Sequence, residues 1–394
     1  MTTPQLQQAE HEFDLVRCGR SHRLVQRLGL SDTTPPRRAA KVAVLLTVTW
    51  VPLSLLSLLS GHFDGTAVRV PFLHDPEVHA RLLITLPLLE LAQVLVPLSL
   101  VVQARNLREM GIVPPRERGR FDAAQCNARA LRESTLSEGI ILALSYVLAV
   151  VVRLALGASE GASSWARIGT DITPAGWWLT LVSLPILYFV LLRWLWIFVV
   201  WGYFLHRVSR LDLDLTPTHP DRAGGLGFLG WGVAGFATVL LAVSTVFSAA
   251  FAKEILHHGE TLDSLKYHVA TFVVVALLIV HAPMLSFCRT LSLCRFRGLL
   301  EFGALAWRHD RAFDQKWIRN SSTAAQENIL GSVDIRSVAN MAACYKHVDE
   351  MRLIPFDTKA FAVLAIAATL PMAPLVGTAL PLREIFMKLG ALFI

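Results

Sequence analysis

Apolar residues along the chain gather in blocks of about 20, the length that carries a helix through roughly 30 Å of hydrocarbon at about 1.5 Å per residue. Seven such blocks can be marked, at residues 42–60, 82–102, 135–157, 178–205, 229–252, 267–287 and 360–380. A membrane barrel would instead show shorter segments of alternating polarity, and none is evident. Because the bilayer core offers no water to backbone groups, each block is expected to be helical, with kinks at Pro87, Pro97, Pro185 and Pro283. The pattern predicts an all-α polytopic transmembrane bundle of about seven spans.

The polar positions between the blocks fix a direction. With the amino terminus in the cytoplasm, the loops on that side hold 28 of the 37 Lys and Arg residues and the opposite side holds seven, Arg153 and Arg193 lying within spans. A bias that alternates at every loop supports both the number of spans and an orientation with the carboxy terminus outside. The formal charge of +7 is therefore topogenic. Its spread over four separate segments is unlike the single basic face of a nucleic-acid binder. Composition agrees with lipid burial: 17% of residues are charged, against roughly 25% in soluble domains. Cys18, Cys126, Cys294 and Cys344 fall in cytoplasmic segments and Cys288 at the inner end of a span, with no spacing that marks a zinc or iron–sulfur site.

Residues 1–41 form a basic amino-terminal segment with no cleavable signal pattern in the first 40 residues. Within it, residues 13–30 read either as a cationic amphipathic helix on the inner leaflet or as a disordered tail that sets topology. Residues 42–394 read as one membrane domain. Its second loop carries the Pro114–Pro115 break and a helix over 122–132, and its cytoplasmic loop at 288–359 is the largest polar piece. There the sixth helix is expected to continue toward Trp307, followed by a second helix over 333–351. The spacing of Ile335, Val338, Met341, Ala342, Tyr345, Val348 and Met351 gives that helix one apolar stripe to dock on the membrane or the bundle. No polar stretch is long enough for a core of its own, and no internal repeat is found.

Ionisable groups deep in a span are costly unless paired or wet, so they are the first candidates for function. Glu90 and Arg193 fall near the centres of the second and fourth blocks and are expected to pair, either along a polar pathway or as a buried ion pair that fixes helix register. Glu138 is accommodated by a helix amino terminus, and Arg153 is expected to snorkel to the headgroups. His281, just ahead of Pro283, either titrates in a proton pathway or is hydrogen-bonded structure. Trp194 and Trp196 follow Arg193 closely, offering a cation–π contact or plain packing.

The most distinctive stretch runs from Asp212 to Gly230. His219, Asp221 and Arg222, held between prolines and followed by Gly224 and Gly225, suggest an anion or phosphate site beside exposed backbone N–H donors. The structural alternative is that Asp221 caps the fifth helix while Gly224, Gly227 and Gly230 let helices approach. The glycine spacing matches neither a Walker loop nor a dinucleotide fingerprint. The run Thr216-Pro-Thr-His-Pro-Asp-Arg-Ala-Gly-Gly-Leu-Gly-Phe-Leu, with the later Asn328-Ile-Leu-Gly-Ser-Val-Asp-Ile-Arg-Ser and Met351-Arg-Leu-Ile-Pro-Phe-Asp, resembles an uncharacterised family of bacterial multi-pass inner-membrane proteins. The resemblance covers at most the carboxy-terminal half and implies a bacterial inner-membrane setting; it assigns no functional residue.

Three functions follow in order. Buried Glu90, Arg193 and His281 among proline-broken helices favour a channel or transporter, with the cationic members pointing to a small anionic solute. An enzyme acting on a lipid or isoprenoid phosphate at the inner leaflet would use His219, Asp221 and Arg222. A scaffold or sensor would present the sixth loop to a partner. No cofactor or metal motif is found, the lipid bilayer is the expected partner, and a homo-oligomer is left open.

Overall fold

The structure, a computed structural model, describes residues 35–65, 67–159, 163–169, 171–319 and 333–379. The amphipathic candidate at 13–30 and residues 328–332 lie outside them. Seven helices are long and apolar enough to cross a membrane: Arg37–Leu59, Pro76–Glu109, Thr135–Leu154, Pro174–Ser209, Phe228–His257, Leu262–Arg319 and Thr358–Gly377. Each coincides with one block of the sequence, so the chain is a polytopic helical membrane protein.

Three of the four prolines stand where α-helical geometry gives way. Pro87 follows a π-helical turn at Ala80–Thr85, Pro185 follows another at Leu179–Ser183, and Pro283 lies in the 3-10 segment Ala282–Phe287. A proline ring clashes with the carbonyl four residues earlier, and a locally widened or tightened turn absorbs that clash. Pro97 is taken into the continuous helix Leu86–Glu109.

Two apolar clusters hold the bundle. The larger joins the second, fourth, fifth and seventh spans through Leu89, Val96, Trp194, Trp201, Phe236 and Leu364, and takes in Phe121 of the off-membrane helix Arg118–Glu133. Phe121 meets Phe204 edge to face at 5.7 Å. The smaller gathers Leu53, Phe72, Val78, Leu82, Trp165 and Leu187 at one end of the bundle. That end is covered by residues 60–65 and 67–75 and by three short antiparallel strands, β1 Ser163–Ser164, β2 Arg167–Ile168 and β3 Asp171–Ile172. This is the capped end, and the opposite one, which carries most of the arginines, is the basic end. The first, third and sixth spans leave large apolar side chains outside, Leu136 being 73% exposed, as helices that face lipid do.

At the basic end the sixth span continues as the helix Cys288–Phe313 and is joined by the helix Val333–Asp349. The pair is as the sequence suggests, but the apolar stripe is buried within the chain only at its far end. Val348 and Met351 are enclosed, while Val333 is 77% exposed and Ile335 and Tyr345 also face outward. The two helices stay side by side, but the character of the contact changes along them: a Cβ placed on Gly298 would stand 2.8 Å from Val348, whereas farther along Ser337 Oγ bonds His309 Nε2 at 2.7 Å and Lys316 pairs with Asp334 at 2.8 Å.

Candidate functional site

The loop from Asp212 to Gly230 is built around one carboxylate. Asp221 Oδ1 accepts from the amides of Ala223 at 2.8 Å and Gly225 at 3.1 Å, Oδ2 accepts from Gly227 at 2.8 Å, and His219 Nδ1 lies 2.8 Å from Oδ1. Burial pushes this acid up, but the amides of Ala223, Gly227 and Gly225 and the His219 ring together outweigh it and hold the acid below the usual carboxylate range. The backbone donors that the sequence offers to a phosphate are thus engaged by the loop's own anion. Arg222, in the left-handed region at φ 54°, pairs with Glu350 at 3.2 Å, and its carbonyl accepts from the amide of Arg352 at 2.6 Å. Gly224 (φ 64°) and Gly225 (φ 98°) complete the turn, and Gly224 abuts Met351. A Cβ on Gly230 would reach the amide nitrogen of Asp357 at 2.9 Å. Two stretches more than 100 residues apart in sequence therefore form one knot at the basic end.

Of the candidates within the membrane, Glu90 takes a different partner from the one expected. Lys41 Nζ, counted in the sequence as an amino-terminal flanking charge, lies 2.7 Å from Glu90 Oε2 and 3.1 Å from Gln93 Oε1. Trp194 explains why Arg193 is elsewhere. Its indole donates to the carbonyl of Leu89 at 3.2 Å, which turns Trp194 toward the second span, and a neighbouring helical residue points about 100° away. Arg193 is half-buried and engaged by other groups. His281 Nδ1 donates to the carbonyl of Leu277 at 2.8 Å, with the rings of Phe361 and Phe356 at 5.5 and 6.4 Å. The four residues do not converge on one site.

A cavity of about 690 Å³ opens at the basic end, between the last turn of the fourth span and the first turns of Cys288–Phe313. His206, Arg210, Arg289 and Arg297 stand on its wall with the hydroxyls of Ser209, Ser286 and Thr290. Its two acids are Glu301 and Asp212, the latter paired with Arg116 at 2.7 Å. Among the described residues, Arg210, Arg289 and Arg297 make no ion pair.

A cluster of buried charges stands at the capped end, where the sequence marks only Arg153, as a snorkelling residue. Glu77 pairs with Arg81 and, at 3.1 Å, with Lys253; Asp75 lies 3.9 Å from the same ammonium and accepts from the indole of Trp165 at 2.9 Å. Arg153 does not snorkel. It is 8% exposed, and its guanidinium turns inward to donate to the carbonyl of Ala166 at 3.1 Å, because β1 and the turn after it cover the end of the third span. These five side chains line a cavity of about 30 Å³ with Ser164 and Trp165. Arg81 and Lys253 read as ordinary loop charges because a tally of basic residues per loop records the side of the membrane and not the direction of a side chain. The available signal was local: Asp75-Pro76-Glu77 followed by Arg81 places opposite charges one helical turn apart at the head of a span. Among the described residues no group of His, Cys, Asp and Glu is arranged to hold a metal ion. The sequence matches no protein-family model, and no curated protein or solved structure shows significant similarity to it.

Proposed function

We propose that the protein is a carrier for a small anionic solute in a bacterial inner membrane, with its basic end in the cytoplasm. The observation that carries this reading is the basic-end cavity: its volume of about 690 Å³ is within the range of small-molecule sites, about 300–1,000 Å³, and three arginines that make no ion pair among the described residues face it. Beyond the cavity, buried Trp201, Phe204, Phe236, Met284 and Phe287 close the route toward the capped end. Access from one side only is the geometry of a carrier in one of its two states and not of an open pore.

The test is uptake by proteoliposomes, with inorganic phosphate and small carboxylates as probes. The double variant Arg289→Gln/Arg297→Gln is expected to abolish uptake, while Arg311→Gln, an exposed change outside the cavity, leaves it intact. Equal uptake by empty liposomes, or by the double variant, would sink the proposal.

A second reading is favoured by Leu285 and Leu293, which line the same cavity and are 55% and 46% exposed. On that reading the arginines hold the phosphate of an anionic lipid whose chains lie along the leucines, and the lipid co-purifies with the wild type but not with the double variant. A lipid-phosphate enzyme using His219, Asp221 and Arg222 has less support, since each of those groups is already bound within the knot.

A further inference from the structure

The buried charges at the capped end have an unequal supply of donors and acceptors. Both oxygens of Asp75 are bound, one by the amide of Glu77 at 3.1 Å and the other by Trp165, and both oxygens of Glu77 are bound by Arg81 and Lys253. Among the described residues, two of those lining the cavity carry a side-chain polar atom without a hydrogen-bond partner, Arg81 at Nε and Ser164 at Oγ, both atoms shielded from solvent, and Ser164 is only 5% exposed. An N–H can only donate, and the hydroxyl is free to do so. Buried donors without acceptors are costly, and each needs an explanation. Both residues line the same cavity of about 30 Å³, and a volume above roughly 10–15 Å³ already admits one water-sized occupant. Of the five charged residues around it among the described residues, three are basic (Arg81, Arg153, Lys253) and two acidic (Asp75, Glu77).

We propose that this cavity binds a single monatomic anion of halide size, held by Arg81 Nε–H and the Ser164 hydroxyl within the field of Arg153 and Lys253. A metal cation is disfavoured by the same chemistry, since the unused groups offer a positive guanidinium edge and a hydroxyl whose neighbours are cations. A polyatomic anion such as phosphate is too large. The occupant would join the cap to the bundle, because Ser164 is on β1 whereas Arg81 is on the second span. The site is separate from the basic-end cavity and does not rest on the transport reading.

The test uses the full-length protein purified in detergent, with thermal unfolding followed in sodium chloride, bromide and gluconate at matched ionic strength. Chloride and bromide are expected to raise Tm saturably and gluconate is not. Ser164→Ala removes only the hydroxyl, and Arg81→Lys keeps the charge beside Glu77 while removing Nε–H. Each is expected to weaken the halide response about tenfold, the scale of one hydrogen bond to a charged group. Lys266→Gln, an exposed change at the same end, is expected to respond as wild type. Crystals grown in bromide should show one anomalous peak between Arg81 and Ser164. If Arg81→Lys does not fold, Ser164→Ala carries the comparison alone. Equal Tm in all three salts, an undiminished halide response in Ser164→Ala, or a bromide-free cavity filled by water would each overturn the proposal. Loss of solute uptake in Arg289→Gln/Arg297→Gln with the halide shift retained would separate this site from the carrier function.

Discussion

Lys41 Nζ of the first span lies 2.7 Å from Glu90 Oε2 of the second, with both side chains about nine-tenths buried. Removing one partner of such a pair strands a charge in a medium that cannot solvate it. Lys41→Met is therefore expected to destabilise the protein by about 3–5 kcal/mol, read as a fall in detergent Tm. The double variant Lys41→Met/Glu90→Leu should recover most of that loss, because it replaces the pair by apolar volume. If the single and double variants fell equally, the pair would have no role in stability.

Asp221 makes the stability of the basic-end knot depend on acid. Its carboxyl is held below the usual range in the folded protein, so the unfolded chain takes up its proton first as pH falls. The stability it contributes is therefore complete above the unfolded value of about 3.9 and is lost as pH drops through the lower folded value. In a Tm series against pH, wild type should exceed Asp221→Asn near neutrality, with the gap closing only below about pH 4. A constant gap down to the most acidic point would contradict the sign of this linkage.

Gly230 and Gly139 are expected to respond oppositely to alanine. At Gly230 the new methyl would stand 2.9 Å from the backbone nitrogen of Asp357, an atom that cannot swing aside, whereas at Gly139 nothing lies within 4 Å. Gly230→Ala should cost about 1–3 kcal/mol through overpacking. Gly139→Ala, in a helix interior, should be neutral or stabilising by up to about 1 kcal/mol. Thermal melts of the two variants side by side decide the matter.

Arg153 separates a snorkelling side chain from a structural one. Because it donates to the carbonyl of Ala166 from a buried position, Arg153→Met should destabilise by about 2 kcal/mol and raise proteolysis within the cap. A melt unchanged from wild type would return the residue to the lipid headgroups.

The sequence by itself determined the seven spans. Their number and place follow from a local property, the length of an apolar run against the thickness of hydrocarbon, and no tertiary contact can override it without exposing backbone to lipid. It also located the loop from Asp212 to Gly230 and the segment after Met351, because prolines, glycines and charges packed so closely are not required by topology. What it did not carry was azimuth. Arg81, Arg153 and Lys253 lie near span ends, where a long side chain is free to reach water or to turn inward, and only the cap formed by residues 60–65 and 67–75 and the three strands decides between those choices. The partner of Glu90 was hidden for the same reason: depth in the membrane is written along the chain, but the face of a helix that meets its neighbour is settled by how the helices pack.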